Sequence, residues 1–407
     1  MSGARSTADG PDVVVVGAGP VGLTAALVLA RRGVPVTVAE SGEGLNTASR
    51  ASTFHPATLD LLAELGVVDG LHAVGRRVDR VQWRDLSGAV LAEMDFDVLR
   101  GATGFPYRLH AEQSALTALL LRELRSLPHV RLLFGCTVTG VEHLGPTVRV
   151  HGHTDEGRCS VDGRYVIAAD GAHSTVRKCL GVPFHGEDYP SYALRCITPV
   201  PLDRHAPGPA ALTYVRDGRQ SCSLLGLRDH WRVIFRVPAA VDAAEAARPE
   251  FYGPLLDTVR EGLPAVDPAA FTAHTYRLSR HVLDDYCHGR VLFMGDAAHV
   301  TSTAGGMNMN CGLHDAVAVS SELADVLDGR AGPDALDRAL ALRRAVLVRQ
   351  VLPRSEARVS GVAAPDPTAL ADGVREIRRI AADPRLTHRY LWQASMLDSA
   401  PRLTTGV

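Results

Sequence analysis

Residues 12–40 read DVVVVGAGPVGLTAALVLARRGVPVTVAE, and their pattern is that of a βαβ unit. A β-branched run, Asp12 to Val16, flows into Gly17-Ala18-Gly19-Pro20-Val21-Gly22. An apolar helix follows and stops at Gly33, and a second strand, Val34 to Ala39, ends at Glu40. In a GxGxxG turn the first glycine permits the tight bend, the second lets the backbone approach a pyrophosphate at the helix N-terminus, and the third lets helix and strand pack closely. An acid about 20 residues on suits the 2′-hydroxyl of an adenosine ribose, and Glu40 holds that place. Strand, turn, helix, strand and acid together predict a dinucleotide on a Rossmann-like α/β domain, without separating a flavin from a nicotinamide.

Working outward, Arg50 closes a polar loop, GEGLNTASR, ahead of a helix whose apolar positions include Leu59, Leu62 and Leu65. An arginine so placed either pairs with phosphate through its planar fork or faces water. Gln113 stands at the front of an amphipathic helix carrying Leu116, Leu119, Leu120 and Leu124, where it reaches a cofactor or solvent. After Pro128 the runs VRLLFG, TVTGVEHL, TVRVHGH and GRYVIAAD read as a β-meander returning to the first sheet. It ends in DGAHSTVR, residues 170–177, where a strand meets a tight turn and a short helix. Asp170 is placed to accept hydrogen bonds at that helix N-terminus, and Arg177 lies further along the same element.

Far downstream, GDAAHVTSTAGGMNMNCGLHDA (295–316) follows an apolar run, RVLFM, that reads as a buried strand. Asp296 is suited to sugar-like hydroxyls, and the Gly305-Gly306 pair lets backbone approach a flat ring closely. A helix expected to begin near Cys311-Gly312 aims its partial positive charge at whatever sits there. The anionic pyrimidine edge of a reduced flavin fits that place.

The 407 residues carry a formal charge of −2 and are 46% hydrophobic, enough for two cores and too balanced for nucleic acid or an anionic membrane as the main partner. No apolar run approaches the ~20 residues of a membrane-spanning helix, and the opening MSGARSTADGPD has no apolar signal core. A cytoplasmic protein with a disordered tail over 1–11 is expected. Seven scattered cysteines show no metal spacing and read as reduced thiols; no metal is assigned. The only lysine is Lys178, best read as composition bias.

GAGPVG with Glu40, DGAHSTVR, and GDAAH with Asn310 and Asp315 following resemble, in order and spacing, the FAD-dependent aromatic hydroxylases, the class A flavoprotein monooxygenases related to p-hydroxybenzoate hydroxylase. The resemblance spans nearly 300 residues. It implies an α/β (α+β overall) fold: an FAD-binding domain of the GR2 type over 12–75, 101–184 and 280–352, an inserted antiparallel substrate-binding β-sheet domain over 76–100 and 185–279, and a C-terminal helical segment over 353–407. It implies non-covalent FAD held by Gly17, Gly19, Pro20, Val21, Gly22, Glu40, Arg50, Gln113, Asp170 and Asp296, with Gly305, Gly306, Met307, Asn308, Met309 and Asn310 along the ring. NADPH or NADH as transient reductant and O2 as oxidant are implied too, with hydroxylation of a small aromatic or heteroaromatic compound through a flavin C4a-hydroperoxide.

In such a reaction the cofactor does the chemistry and the protein supplies placement and dryness, so no catalytic side chain is assigned. His299, Thr303 and Asn308 are the candidates nearest the ring, and His299 serves as a proton relay or as packing. Candidate substrate contacts come from the strands YALRCITPV, AALTYVR, SCSLLGL and HWRVIFRVP: Tyr192, Arg195, Tyr214, Arg216, Cys222 and Arg236, each equally readable as an ordinary sheet residue. Thr303 and Asn308 stand where the family has Pro and Gly. Asn308 is expected to tolerate a left-handed backbone, and the pair to alter oxygen coupling rather than FAD affinity. Epoxidation, oxidative decarboxylation, reduction, or a silent flavin-binding role remain open on the same fold, as do monomer and homodimer.

Overall fold

The computed structural model describes residues 11–48, 50–204, 208–218, 220–259, 267–363 and 367–401, with the side chains of 359–367 outside that description. The expected tail over 1–11, save its last residue, and most of the loop expected at Ala364 to Pro367 also fall outside it. Among the described residues no helix is long and apolar enough to cross a membrane.

Four valines, Val13–Val16, are buried on both faces, as a strand covered on both sides by helices requires. They pair in parallel with Val36–Ala39 and with Tyr165–Ala168. The six-stranded sheet runs Cys287–His288, Val291–Phe293, Tyr165–Ala168, Val13–Val16, Val36–Ala39, Val130–Leu133. Helix Pro20–Arg31, with Pro at its first position and Gly22 through Ala30 buried, packs between this sheet and helix Met307–Leu327. Pro at that position is pre-set for a helix start, because its missing N–H would have had no partner.

The meander differs from its expected form. Val130–Leu133 and Tyr165–Ala168 are strands of the parallel sheet, while Thr137–His143, Val148–Thr154 and Gly157–Gly163 make a separate three-stranded antiparallel sheet. The strand Gly157–Gly163 was hidden by its polar alternation, with exposed and half-buried positions taking turns.

The eight-stranded sheet runs His299–Val300, Thr272–Val282, His185–Thr198, Trp231–Pro238, Cys222–Gly226, Leu212–Val215, Arg80–Arg84, Val90–Asp95. Its register sorts its side chains by face, because alternate residues of a strand point to opposite sides. Tyr192 pairs with Val237, and Cys222 with Phe235; all four join a core with Leu194, Cys196, Leu224 and Val233 under helix Pro249–Thr258. One step out of phase, Arg195 pairs with Ile234, and Ile234 with Ser223, which pairs with Tyr214. Arg195, Tyr214, Arg232 and Arg236 therefore share the opposite face.

The C-terminal segment comprises helices Pro333–Val346, Leu352–Ala363, Pro367–Ala382 and Pro384–Ala394, the first two joined by a π-helical turn, Leu347–Val351. The last helix sets Leu391 into a third core with Val81, Trp83, Met94, Phe96 and Leu99.

Candidate active site

Three motifs far apart in the chain interlock. At Gly17, φ is +104° and a Cβ would lie 2.5 Å from the Ala169 carbonyl oxygen and 3.1 Å from the Asp170 Cα, so the first turn seats directly on the DGAHSTVR strand end. Val21 fills the notch between Gly295 and Gly312, where a Cβ on either glycine would meet its Cγ2 at 2.8 Å. Arg177 donates to the Ala297 carbonyl (3.0 Å) and the Ala172 carbonyl (2.6 Å), with its guanidinium 3.8 Å from the Phe184 ring centre. Arg177 is thus a strut between two motifs.

The polar groups around this junction fit FAD. Helices Pro20–Arg31 and Met307–Leu327 both start without a side-chain cap, leaving orphan amides for an anion. A Cβ at Gly19 would meet nothing within 4 Å, so the turn faces open space. Glu40 accepts from the amides of Ala18 (2.7 Å) and Gly42 (2.9 Å), which fixes its carboxylate at the strand end. Asp170 accepts the Thr175 and Val176 amides through Oδ2 (2.7 and 3.1 Å). Its Oδ1 is buried without a partner, an unmet acceptor of the sort a ligand hydroxyl satisfies. Burial pushes the Asp296 carboxyl up, offset in part by His299, Asn308 and the exposed Arg50.

The downstream stretch departs from expectation in two respects. Its helix starts at Met307, ahead of the expected Cys311-Gly312, because the left-handed residues Gly305 (φ +84°) and Gly306 (φ +67°) make the turn. Asn308 is consequently helical, and its amide serves as a bridge: Nδ2 donates to Asp296 Oδ1 (2.8 Å) and Oδ1 accepts from the Thr301 amide (3.2 Å). Asn310 is wholly buried and engaged with protein, donating to the carbonyls of Thr53 and Gly306 and accepting from the His55 amide. Met307 and Met309 are buried, Thr303 is exposed, and Gln113 is the half-buried first residue of helix Gln113–Arg125.

His299 is fully buried. Its Nε2 lies 2.6 Å from Asp315 Oδ2, and its ring stacks on Tyr286 at 5.9 Å. Asp315 also accepts from Arg343 Nε (2.8 Å), and Arg343 reaches the Ser399 carbonyl and Cys311 Sγ. Burial would raise the Asp315 carboxyl, yet Arg343 and His299 hold it at about 2. His299, Cys311 and Asp315 offer ligand atoms within 4.8 Å of one another, but the Arg343 cation already bonds two of them, so this is a structural network.

Of the six proposed substrate contacts, the structure separates two. Tyr192 donates to the carbonyls of Val241 and Asp242 from the far core, and Cys222 is buried in that core. On the other face, Arg216 stacks 5.1 Å over Tyr214 and donates to the carbonyls of Val215 and Cys222. Arg236 reaches Ser302 at 3.5 Å, and Arg195 lies 5.7 Å over Tyr276.

Sequence reasoning missed the residues that join these two groups. His55 Nε2 lies 3.0 Å from the Gly305 carbonyl oxygen, and its Nδ1 is 2.9 Å from that of Ala394, which also accepts from Arg108 Nη2 (3.0 Å). A Cβ on Gly305 would sit 1.8 Å from Arg358 Nη1. Trp83 lies against Tyr214 (5.7 Å) and Tyr390 (6.1 Å). Arg232, buried in the eight-stranded sheet, donates to the Arg50 carbonyl, to Ser52 and to Glu112. Burial would raise Glu112, but His230 and Arg232 hold it at about 2. The one available signal was the alternation in Arg108-Leu109-His110, which puts Arg108 and His110 on one face just ahead of Gln113.

Residues 11–355 match the family model of the FAD binding domain. The chain is 33% identical over 348 residues to 6-hydroxy-3-succinoylpyridine 3-monooxygenase of Pseudomonas putida, covering 84% of this chain and 86% of that one. It is 30% identical to para-nitrophenol 4-monooxygenase of Pseudomonas sp., covering 89% of each. The crystal structure of p-nitrophenol 4-monooxygenase from Pseudomonas putida DLL-E4 superposes with a TM-score of 0.89 at 26% identity, over 97% of this chain and 99% of that one.

Proposed function

The chain belongs to the FAD-dependent aromatic hydroxylases and is an aromatic-ring monooxygenase, and on that premise we propose that it takes electrons from NADPH or NADH and inserts one atom of O2 into a small aromatic or heteroaromatic ring. The observation that carries this reading is that the Gly17 turn seats against Ala169 and Asp170, while Asn308, in the helix that follows Gly305-Gly306, holds Asp296 and Arg236 of the eight-stranded sheet reaches Ser302 beside it.

Bound FAD would supply the redox and oxygen chemistry. The residues present do the rest. Glu40 and the uncapped start of Pro20–Arg31 would hold the adenosine and diphosphate end, Asp170 and Asp296 the hydroxyl-bearing middle, and Gly305-Gly306 the ring. Trp83, Tyr214 and Tyr390 pack as an aromatic group that would flank the substrate side.

A cytoplasmic location is supported by seven free thiols, and the proposed partner is a small aromatic substrate, taken by a monomer or homodimer. Purified protein loaded with FAD should oxidise NADPH or NADH faster when the correct phenol, indole or aromatic acid is added, giving a product heavier by one oxygen atom. An FAD-loaded sample that neither nicotinamide reduces faster with any such aromatic ends the proposal.

A further inference from the structure

One imidazole in the fold meets more acceptors than it has protons. His55 stands between strand Thr53–Phe54 and helix Pro56–Glu64, and its side chain is wholly buried. Its Nε2 lies 3.0 Å from the carbonyl oxygen of Gly305, in the loop proposed to meet the flavin ring. Its Nδ1 lies 2.9 Å from the carbonyl oxygen of Ala394, the last residue of helix Pro384–Ala394. A carbonyl oxygen only accepts, and a neutral imidazole has a single N–H. Neutral His55 therefore donates to one of these carbonyls and turns a nitrogen lone pair toward the other. The imidazolium, with a proton on each nitrogen, satisfies both.

The protein's own charges oppose that form. The ring feels two cations, Arg108 of strand Arg108–His110 and Arg358 of helix Leu352–Ala363. Arg108 also donates to the Ala394 carbonyl (3.0 Å). From helix Met307–Leu327 comes the neutral amide of Asn310, which accepts from the His55 main-chain amide (3.1 Å) and donates to the Gly306 carbonyl (2.7 Å). Burial first, then Arg108 and Arg358, hold the imidazole well below its usual value, while the two carbonyls pull the other way. A negative charge arriving at the Gly305 loop would shift that balance toward the imidazolium, because an opposite charge nearby favours the charged form of a group. A reduced flavin carries such a charge.

We infer that His55 is a proton-linked positioning residue: neutral beside oxidised FAD, it takes up one proton from solvent when the bound flavin is reduced, and then ties the Gly305 loop to the end of helix Pro384–Ala394. Hydride from NADPH or NADH brings two electrons and one proton and leaves the flavin with one negative charge. The proton on His55 balances that charge and returns to solvent on reoxidation. This role rests on FAD seated at the Gly305 loop as proposed above.

The test uses the full chain loaded with FAD and labelled with nitrogen-15 in its 17 histidines, with His55→Gln identifying the His55 signals. Ring-nitrogen NMR shifts at about pH 7.5 separate an imidazole with one protonated nitrogen from an imidazolium with two. His55 should be neutral in the oxidised protein and doubly protonated after reduction with dithionite. In a spectroelectrochemical titration over about pH 6 to 8.5, the midpoint potential of bound FAD should fall with pH about 30 mV per unit more steeply in wild type than in His55→Gln, the tenfold per pH unit of one extra proton spread over two electrons. A histidine that only packs the core keeps one protonation state and gives equal slopes. The same ring state with oxidised and reduced flavin, or slopes that agree, overturns the assignment. Where His55→Gln holds FAD too weakly to titrate, His55→Asn is the reference, and the wild-type ring shifts decide if neither variant holds it. Wild-type protein that binds no FAD removes the cofactor reading together with this role; bound, reducible FAD beside an unchanging His55 removes this role alone.

Discussion

Replacing Arg343 by methionine keeps most of the side-chain volume and removes the charge that Asp315 depends on. Both groups are buried, at 3% and 1% exposure, and the carboxyl lies near 2 against an ordinary 3.8. That depression corresponds to roughly 2 to 3 kcal/mol of stability. Breaking a buried pair by deleting one partner costs about 3 to 5 kcal/mol, because the survivor is left uncompensated. Arg343→Met should therefore lower the melting temperature of the FAD-loaded protein by about 6 to 10 °C, taking about 2 °C per kcal/mol for a domain of this size. The pH dependence has a definite sign. A carboxyl whose folded pKa is depressed contributes stability above its unfolded value, and that contribution is lost as pH falls from about 3.8 through about 2. In Arg343→Met burial dominates and raises the carboxyl, so the gap from wild type is widest at neutral pH and closes as the solution is acidified. The double variant Asp315→Asn with Arg343→Met leaves no stranded charge, and should melt above Arg343→Met alone. A double variant that melts as low as the sum of the single losses would refute an uncompensated carboxylate as the cause.

Gly305→Ala forces a Cβ to within 1.8 Å of Arg358 Nη1 in a left-handed backbone; strain of about 1 to 2 kcal/mol at a glycine proposed to meet the flavin ring should weaken FAD binding by about 5- to 30-fold in a fluorescence titration, and an unchanged affinity would count against close approach of the ring there. Asn308→Gly removes the bridge from Asp296 to the Thr301 amide, and FAD should bind about 5- to 30-fold more weakly by fluorescence titration, from the loss of one hydrogen bond to the acid and one from the amide. Unchanged FAD affinity there would return Asn308 to a role in coupling alone. Thr303→Pro stiffens an exposed position whose carbonyl accepts from the Gly306 amide (3.1 Å); product per NAD(P)H should rise and peroxide fall, and an equal ratio in both enzymes counts against loop stiffness as the variable.

The cofactor half of the molecule was readable because its signals are local. Val13–Val16, the glycine turn and Glu40 sit within one βαβ unit, and each residue type there has one backbone or ligand reason to be present. The helix start at Met307 was misplaced because Met307-Asn308-Met309-Asn310 carries no start signal of its own; the turn is set by two left-handed glycines. The substrate half was only partly readable. Strand alternation alone sets Tyr192 and Arg195 on opposite faces, but which face a helix covers depends on contacts far along the chain, and here Tyr192 and Cys222 fall in the core under helix Pro249–Thr258. Arg358 and Tyr390 lie on helices with no link in sequence to the sheet they cover. Arg108 and His55 gain their roles through a shared carbonyl, Ala394, a relation that no periodicity encodes.

The seating of Val21 between Gly295 and Gly312 sets an order of events during synthesis. The Gly17–Gly22 turn, proposed to hold the diphosphate, leaves the ribosome first, while the glycines that close over Val21 follow nearly 300 residues later, on the order of 15 to 60 s at ordinary elongation rates. Through that interval the central sheet lacks Val291–Phe293 and helix Pro20–Arg31 lacks its neighbour Met307–Leu327. A nascent chain stopped before residue 307 thus displays the glycine fingerprint with no cradle to go with it. Flavin supply should then govern the yield of the completed chain and leave ribosome-bound fragments unaffected.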